Sequence, residues 1–375
     1  MRTMHFVRYF QGFGPVDIAF TFREPDSSET KFNRVLRLRV RSGVDFKVHA
    51  LMGAVMRRPF PVYLYKRNSR REFAAMVRSG GYDVVLIRSL YPTGLIFELQ
   101  RKARTKVLLD LDDRISGTLY DQTVQHPQDS RSRTVFFNWN RFLLERHERR
   151  SVRNARVTFV CSEADRERLS FGQRNSPVIV PNIYRPPKSG AINTDTGFWN
   201  QARLLFVGTL DYPPNIDGLR WFLQEVFPVF RQRHPEARLS VVGRNPTAAI
   251  RSLCEASSAV DLWADVPDIL SHYESCRAVV VPLLSGGGTR IKILEAASAK
   301  RPVLSTRVGG EGLDFVDRRD LMNFENAPQF LAAYEELSDP TVYNEMVENA
   351  HEVVSVKYSQ NAFEAAMTKV TGGSR

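Results

Sequence analysis

The sequence predicts an α/β protein of two domains, each built on a parallel sheet. Three observations carry this. Short β-branched runs alternate with helical patterns from end to end, the pattern of parallel α/β layers. A stretch rich in Pro, Gly, Ser, Thr and Asn, "RPPKSGAINTDTGFWN" (Arg185–Asn200), interrupts the alternation, which then restarts. The chain has 375 residues, long for one core and comfortable for two. The expected division is a first domain over 1–184, a linker over 185–200, a second domain over 201–354, and a final helix over 355–375 returning to the first domain.

In the first domain the strands expected are Val16–Phe22, Asp83–Arg88, Lys106–Leu111, Val157–Ser162 and Pro177–Asn182. The segment Phe136–Asn154 has helical period, and Ser162 followed by acidic residues reads as a helix start. A domain of this kind ordinarily opens with a buried strand and a glycine loop before its first helix. Here "TMHFVRYFQGFG" already reads as that helix, with Met4, Val7 and Phe10 spaced three apart. The expectation is that the usual first strand is missing, through a downstream start or a shortened chain. In the second domain the reading gives strand Arg203–Leu210, one amphipathic helix Asn215–Pro235, strand Arg238–Arg244 and strand Ala278–Leu283.

Composition narrows the function classes. No run of 18 apolar residues is present, and "MRTMHFVRYF" lacks the pattern of a cleaved leader. Three well-separated cysteines, Cys161, Cys254 and Cys276, suggest a reducing compartment, and so a cytoplasmic location. The net charge of +12 is uneven: residues 1–190 carry 35 Lys and Arg against 18 Asp and Glu, whereas 191–375 carry 18 against 23. A basic first half suits an anionic partner or a solvated basic surface.

The most informative stretch is "VPLLSGGGTRIKILEAASAKRPVLST" (Val281–Thr306): strand, glycine loop, helix, strand. Gly286, Gly287 and Gly288 allow close backbone approach, and the helix expected from Thr289 offers free N–H groups to a phosphate. Arg290 and Lys292 add cations suited to a diphosphate. Glu295, three residues after Lys292, can accept hydrogen bonds from a vicinal diol such as a ribose. Diphosphate plus ribose describes a nucleotide. The same loop could serve only as a turn, with Arg290 and Lys292 solvated and Glu295 paired to Lys292. The chain has no Walker motif and no G-x-G-x-x-G after a first strand, which argues against a P-loop NTPase and a nicotinamide dehydrogenase.

With these residues in view, the second half resembles the nucleotide-binding domain of retaining GT-B glycosyltransferases of the group 1, family 4-like type. The stretches that carry it are "LLFVGTLDYPPNIDGLRWFLQEVFPVFRQRHPEARLSVVGRNP", "VDLWADVPDILSHYESCRAVVVPLLSGGGTRIKILEAASAKRPVLST" and "VGGEGL". More loosely, "KVLLDLDDRISG", "RSVRNARVTFVCSEADRERL" and "VIVPNIYRPP" are similar to the family's acceptor domain. The resemblance implies two Rossmann-like domains facing a central cleft, a nucleotide-diphosphate sugar as co-substrate on the second domain, an acceptor on the first, and neither metal nor resident cofactor. It implies that Gly208, Thr209, Val266, Gly286, Gly287, Gly288, Thr289, Arg290, Lys292 and Glu295 line the donor site, with Arg290 and Lys292 meeting the leaving diphosphate. Two family features are absent. The first glutamate of the family's Glu-x7-Glu pattern is replaced by Gly287, and its arginine and lysine near the first strand of this domain by Thr209 and Asn215.

In the first domain, Asp110, Asp112 and Asp113 end a buried strand. Asp112 or Asp113 is the candidate to orient or deprotonate an acceptor hydroxyl, although either could cap the next turn or pair with Arg114. His126 is an acceptor-side candidate, and as a lone histidine equally a surface residue. The basic stretches Arg57–Arg71 and Glu145–Arg156 carry no nucleic-acid motif; for this family they suit the anionic inner face of a membrane and a glycan or lipid-linked glycan acceptor. A nucleotide-sugar epimerase on the same fold, a non-catalytic nucleotide-sugar binder and, on charge alone, a nucleic-acid binder remain as alternatives.

Overall fold

The structure is a computed structural model that describes residues 2–21, 31–40, 64–95, 105–112, 131–170, 176–184 and 202–372. Asp113, His126, the linker 185–200 and residues 57–63 of the first basic stretch lie outside the described residues. The chain divides into two compact units: Met1–Asn182 with Phe363–Arg375, and Ile183–Ala362. The sequence reading put the boundaries at 184 and 355; in the folded chain they fall at Asn182 and Phe363.

In the first unit, β1 (Ile18–Phe20) pairs in parallel with β2 (Val35–Arg37). A four-stranded parallel sheet follows in the order β3 (Val84–Arg88), β4 (Lys106–Leu111), β5 (Val157–Val160), β6 (Val178–Ile179). The strands at Val16–Phe22 and Pro177–Asn182 are shorter than expected because each pairs on one side only, β1 over three residues and β6 over two. Among the described residues up to Asn182, the α-helices are α1 (Arg2–Gln11), α2 (Arg67–Gly80), α3 (Arg131–Asn154) and α4 (Glu163–Leu169). Ser162 caps α4, its Oγ accepting from the Asp165 N–H at 3.1 Å.

The helix read in "TMHFVRYFQGFG" is present as α1. Its buried residues are Arg2, His5, Phe6 and Val7, whereas Met4 and Phe10 are half-buried. Phe6 stacks on Phe159 of β5 at 5.6 Å and meets Phe363 edge-on at 5.2 Å. His5, Phe6 and Tyr9, at i, i+1 and i+4, all meet the Phe363 ring, so aromatic packing rather than the i, i+3 apolar series sets this face.

The second unit holds a six-stranded parallel sheet. Its strands are β7 (Arg203–Val207), β8 (Arg238–Gly243), β9 (Val260–Ala264), β10 (Ala278–Val281), β11 (Val303–Ser305) and β12 (Met322–Asn323). The spatial order is β12-β11-β10-β7-β8-β9. All four residues of β10 are fully buried, as expected where helices cover both faces of a parallel sheet. The helices are α5 (Pro213–Trp221), α6 (Phe227–Arg233), α7 (Ala248–Glu255), α8 (Leu270–Glu274), α9 (Ile291–Ser298), α10 (Arg307–Gly310), α11 (Ala327–Glu336) and α12 (Pro340–Lys357); α13 (Gln360–Thr371) follows, and from Phe363 onward it belongs to the first unit. One core joins Phe206 of β7 to Phe222, Phe230, Phe324, Phe330 and Tyr334, with several edge-on ring contacts near 5 Å.

The single helix expected over Asn215–Pro235 is interrupted. Phe222–Val226 form a π-helical turn in which the Phe227 N–H bonds the Phe222 carbonyl. Pro228 explains it: proline has no N–H and its ring clashes with the carbonyl four residues back, so the helix widens and restarts as α6 with proline in its first turn. Among the described residues, no helix is long and apolar enough to cross a membrane.

Candidate functional site

The strand order of the second unit locates a site before any side chain is considered. From β7 the chain steps through β8 and β9 on one side, then returns to place β10 on the other side of β7. The loops after β7 and β10 therefore leave neighbouring strands in opposite directions. Ligands of open α/β sheets bind at such a switch point, beyond the carboxyl ends of the strands. The two loops are Gly208–Tyr212, leading into α5, and Pro282–Arg290, leading into α9. They carry Gly208, Thr209, Gly286, Gly287, Gly288, Thr289 and Arg290, and the first turn of α9 brings Lys292.

The glycine loop is held by the chain itself. Gly286 (φ 116°) and Gly288 (φ 75°) occupy the left-handed region that other residues avoid. Arg290, 6% exposed, turns its guanidinium back into the loop. It donates to the Gly287 carbonyl, to the Gly286 carbonyl at 2.8 Å and to the Val308 carbonyl at 3.4 Å. The sequence suggested a cation reaching toward the ligand; the structure shows one that shapes the loop and lends its field.

Lys292 reaches the other loop. Its Nζ donates to Asn215 Oδ1 at 2.8 Å and lies 4.8 Å from the centre of the Phe206 ring. Burial and the neighbouring Arg290 lower its ammonium from the ordinary 10.5 to about 7, against the attraction of Glu295. Thr209 and Asn215, where the resemblance expects an arginine and a lysine, are thus served by an ammonium delivered from α9.

Glu295 stands one turn further along α9. The Tyr273 hydroxyl, itself 2% exposed, donates to Glu295 Oε2 at 2.9 Å. Burial raises the Glu295 carboxyl, while Tyr273 and Lys292 oppose that rise. The half-buried Tyr184 is also close enough for Glu295 to raise its phenol, after burial. Tyr273 and Tyr184 are the residues sequence reasoning missed. Tyr273 lies within the quoted "DILSHYESC", but nothing in its spacing announces a contact 22 residues away.

Val266 and Ile269 pack partly buried against the cluster of Tyr273 and Ile293, which places the loop after β9 beside α9. Asp265 lies in the left-handed region at φ 53° and does not cap α8. Its Oδ1 accepts from the Asn245 N–H at 3.2 Å, and Asp268 accepts from Leu270 N–H instead.

In the first unit, the carboxylates at the end of β4 are already engaged. Asp110 is fully buried and takes a forked contact from Arg2, with distances of 2.6, 2.9 and 3.1 Å. The same guanidinium donates to the carbonyls of Val180 (2.9 Å) and Pro181 (3.2 Å) and to Asn182 Oδ1 (3.1 Å). Asp112 forms an ion pair with Arg88, whose Nη1 also donates to Thr3 Oγ1 at 3.0 Å. Asp112 is thus held as one half of an ion pair, not presented as an unengaged base. Among the described residues, no group of three or more His, Cys, Asp and Glu could hold a metal ion.

Comparison with known proteins follows the same division. Residues 15–182 match the model of the glycosyl transferase 4-like domain, and residues 201–339 match glycosyl transferases group 1. Both models describe glycosyl transferases, and one falls in each unit. A curated relative is an uncharacterized 44.6 kDa protein in the cps region of Klebsiella pneumoniae, 24% identical over 263 residues, 67% of this chain and 63% of the relative. Sucrose-phosphate synthase from Thermosynechococcus elongatus shares the fold at a TM-score of 0.67, 15% identity, 98% coverage of this chain and 92% of that one. TarM from S. aureus, solved with fondaparinux, α-GlcNAc-glycerol and UDP, matches at a TM-score of 0.58 and 13% identity, over 82% of this chain and 60% of that one. The chain thus spans about three fifths of the length of the first relatives it matches, and the fold it shares with the two solved structures is GT-B.

Proposed function

We propose that this chain transfers a sugar from a nucleotide-diphosphate sugar to a hydroxyl acceptor. The observation that supports this best is the convergence of Lys292, Asn215 and the glycine loop, with Glu295 one turn along, on the switch point of the second unit. In this reading, transfer breaks the bond between the anomeric carbon and the phosphate oxygen. The electron pair leaves with the nucleoside diphosphate, and the acceptor oxygen takes its place with loss of its proton. Lys292 and the N–H groups at the start of α9 meet the charge growing on the leaving group, where a fixed donor is typically worth about 3–4 kcal/mol of barrier. Arg290 contributes through its field and through the loop shape it maintains. Glu295, steadied by Tyr273, receives the ribose hydroxyls. No resident cofactor is needed. Retention of anomeric configuration rests on family likeness.

UDP in the TarM structure and the cps-region context of the Klebsiella protein favour a nucleotide donor and a glycan or lipid-linked glycan acceptor. The basic first half, with Val135 and Phe142 of α3 exposed, supports association with an anionic membrane surface, here the inner face of the cell membrane. Asp112, released from Arg88, and Asp113 or His126 are the acceptor-side candidates.

The test is a thermal-shift panel of nucleoside diphosphates and nucleotide sugars, followed by product analysis with glycan acceptors. A true ligand at 100 times its dissociation constant stabilises by about 2.7 kcal/mol. A panel in which no member stabilises the protein overturns the reading. A second reading, a nucleotide-sugar binder without turnover, is favoured by one observation: Gly287 brings no side chain to the position of the family's first glutamate, and its carbonyl is taken by Arg290. Stabilisation by a nucleotide sugar with neither transfer nor donor hydrolysis selects that reading.

A further inference from the structure

The Lys292 ammonium has three N–H bonds, yet among the described residues its hydrogen-bond acceptor is Asn215 Oδ1, at 2.8 Å. The Asn215 amide is itself oriented, because its Nδ2 donates to the Thr209 carbonyl at 2.9 Å. That bond fixes which end of the amide faces the lysine. Asn215 therefore ties the loop after β7 to the first turn of α9, across 77 residues of sequence. Gly208 leaves the room for this. A Cβ there would lie 2.7 Å from Asn215 Nδ2 and 3.1 Å from Lys292 Nζ, both too close. The remaining surroundings are the Phe206 ring beneath the ammonium, Arg290 repelling it and Glu295 attracting it. Tyr273 bridges Glu295 Oε2 and, more weakly, the Lys292 carbonyl at 3.5 Å.

We infer that Asn215 is the positioning residue of Lys292: it anchors the ammonium at the switch point through a neutral carbonyl and leaves the cation's charge for the diphosphate of the donor. A carboxylate at this place would cancel that charge, and a short apolar side chain would let the ammonium swing. A neutral acceptor is the option that orients without neutralising. The inference rests on the donor reading proposed above and adds a residue to it.

The experiment uses the full chain and its Asn215→Asp and Asn215→Ala variants. The first measurement needs no ligand. Lys292 is labelled with a brief pulse of acetic anhydride across pH and quantified by mass spectrometry, since only the neutral amine reacts. The wild-type midpoint is expected near 7. In Asn215→Asp the new carboxylate should raise it by at least about one pH unit, so that labelling at pH 6, below both midpoints, slows about tenfold. The second measurement is binding of inorganic pyrophosphate, the group common to every candidate nucleotide, at pH 7. Asn215→Asp is expected to weaken it about tenfold or more, and Asn215→Ala by a smaller factor, with loss of the protection that pyrophosphate gives Lys292 against labelling. Wild-type midpoint and wild-type pyrophosphate affinity in Asn215→Asp overturn the inference while leaving the donor reading intact. Wild-type protein that binds neither pyrophosphate nor any nucleotide of the panel overturns both. Asn215→Asp is close in shape to asparagine, so it answers the question even if Asn215→Ala fails to fold.

Discussion

The carboxyl ends of the two sheets treat charge in opposite ways. At β4, two carboxylates meet two guanidinium groups: Asp110 with Arg2 and Asp112 with Arg88. At β7 and β10, Lys292 has a neutral amide for its hydrogen bond and a guanidinium nearby that repels it. The first arrangement is closed, with each charge answered inside the protein. The second answers its cation only in part, through the nearby Glu295, and leaves charge to be met from outside. A buried pair of opposite charges is consistent with a structural role, whereas a cation held by a neutral group needs a further reason, and an anionic ligand supplies one.

The comparison breaks first at Arg2. Replacing it with Met leaves Asp110 buried without its partner, and the expected loss is about 3–5 kcal/mol in urea denaturation of the first unit. Adding Asp110→Leu should recover much of it. A single variant as stable as wild type would mean that the pair is not what secures α1. Lys292→Met should behave in the opposite sense. Its melting temperature is expected to hold or rise, because a poorly compensated cation has been removed, while donor turnover falls about a hundredfold. A large drop in melting temperature would make Lys292 a structural residue.

A smaller effect is expected at Tyr273→Phe. It removes the hydroxyl that steadies Glu295, a hydrogen bond to a charged group worth about 1.5–3 kcal/mol. Nucleotide affinity should fall accordingly, and pyrophosphate affinity should not, since Glu295 is assigned to the ribose. Equal losses for both ligands would move Glu295 to the phosphate end. The smallest effect concerns pH. Lys292 has its folded value near 7 and an ordinary value of 10.5, so between them the unfolded chain holds more protons than the folded one, and stability rises with pH across that window. Below pH 7 the cost of the buried cation is fully present. Wild type should therefore gain more stability than Lys292→Met between pH 7 and pH 9, measured by thermal melts at each pH.

What the sequence made legible was what repeats locally. β-branched runs gave the positions of β3, β4, β5, β7, β8 and β10, and the glycine loop before α9 stood out because three glycines, two cations and a carboxylate fall within ten residues. The interruption at Phe222–Val226 was missed because Pro228 lies inside a pattern whose apolar period continues on both sides. Arg2 was overlooked because its partner is 108 residues away, and a charged residue beside a helix start carries no mark of burial. Lys292 and Asn215 each appeared in the reading, one as a cation and one as a missing cation. That the first sits on the second is decided by the strand order, which brings the ends of β7 and β10 together.

Arg290 spans the carbonyls of Gly286, Gly287 and Val308, so the curvature of the glycine loop is imposed by the chain's own guanidinium whether or not anything sits in front of it. A visiting anion finds a mould already cast and loses little freedom in fitting it. The same fastening means that lysine is no substitute at this position: a single ammonium cannot grip three carbonyls arranged around a flat, forked group.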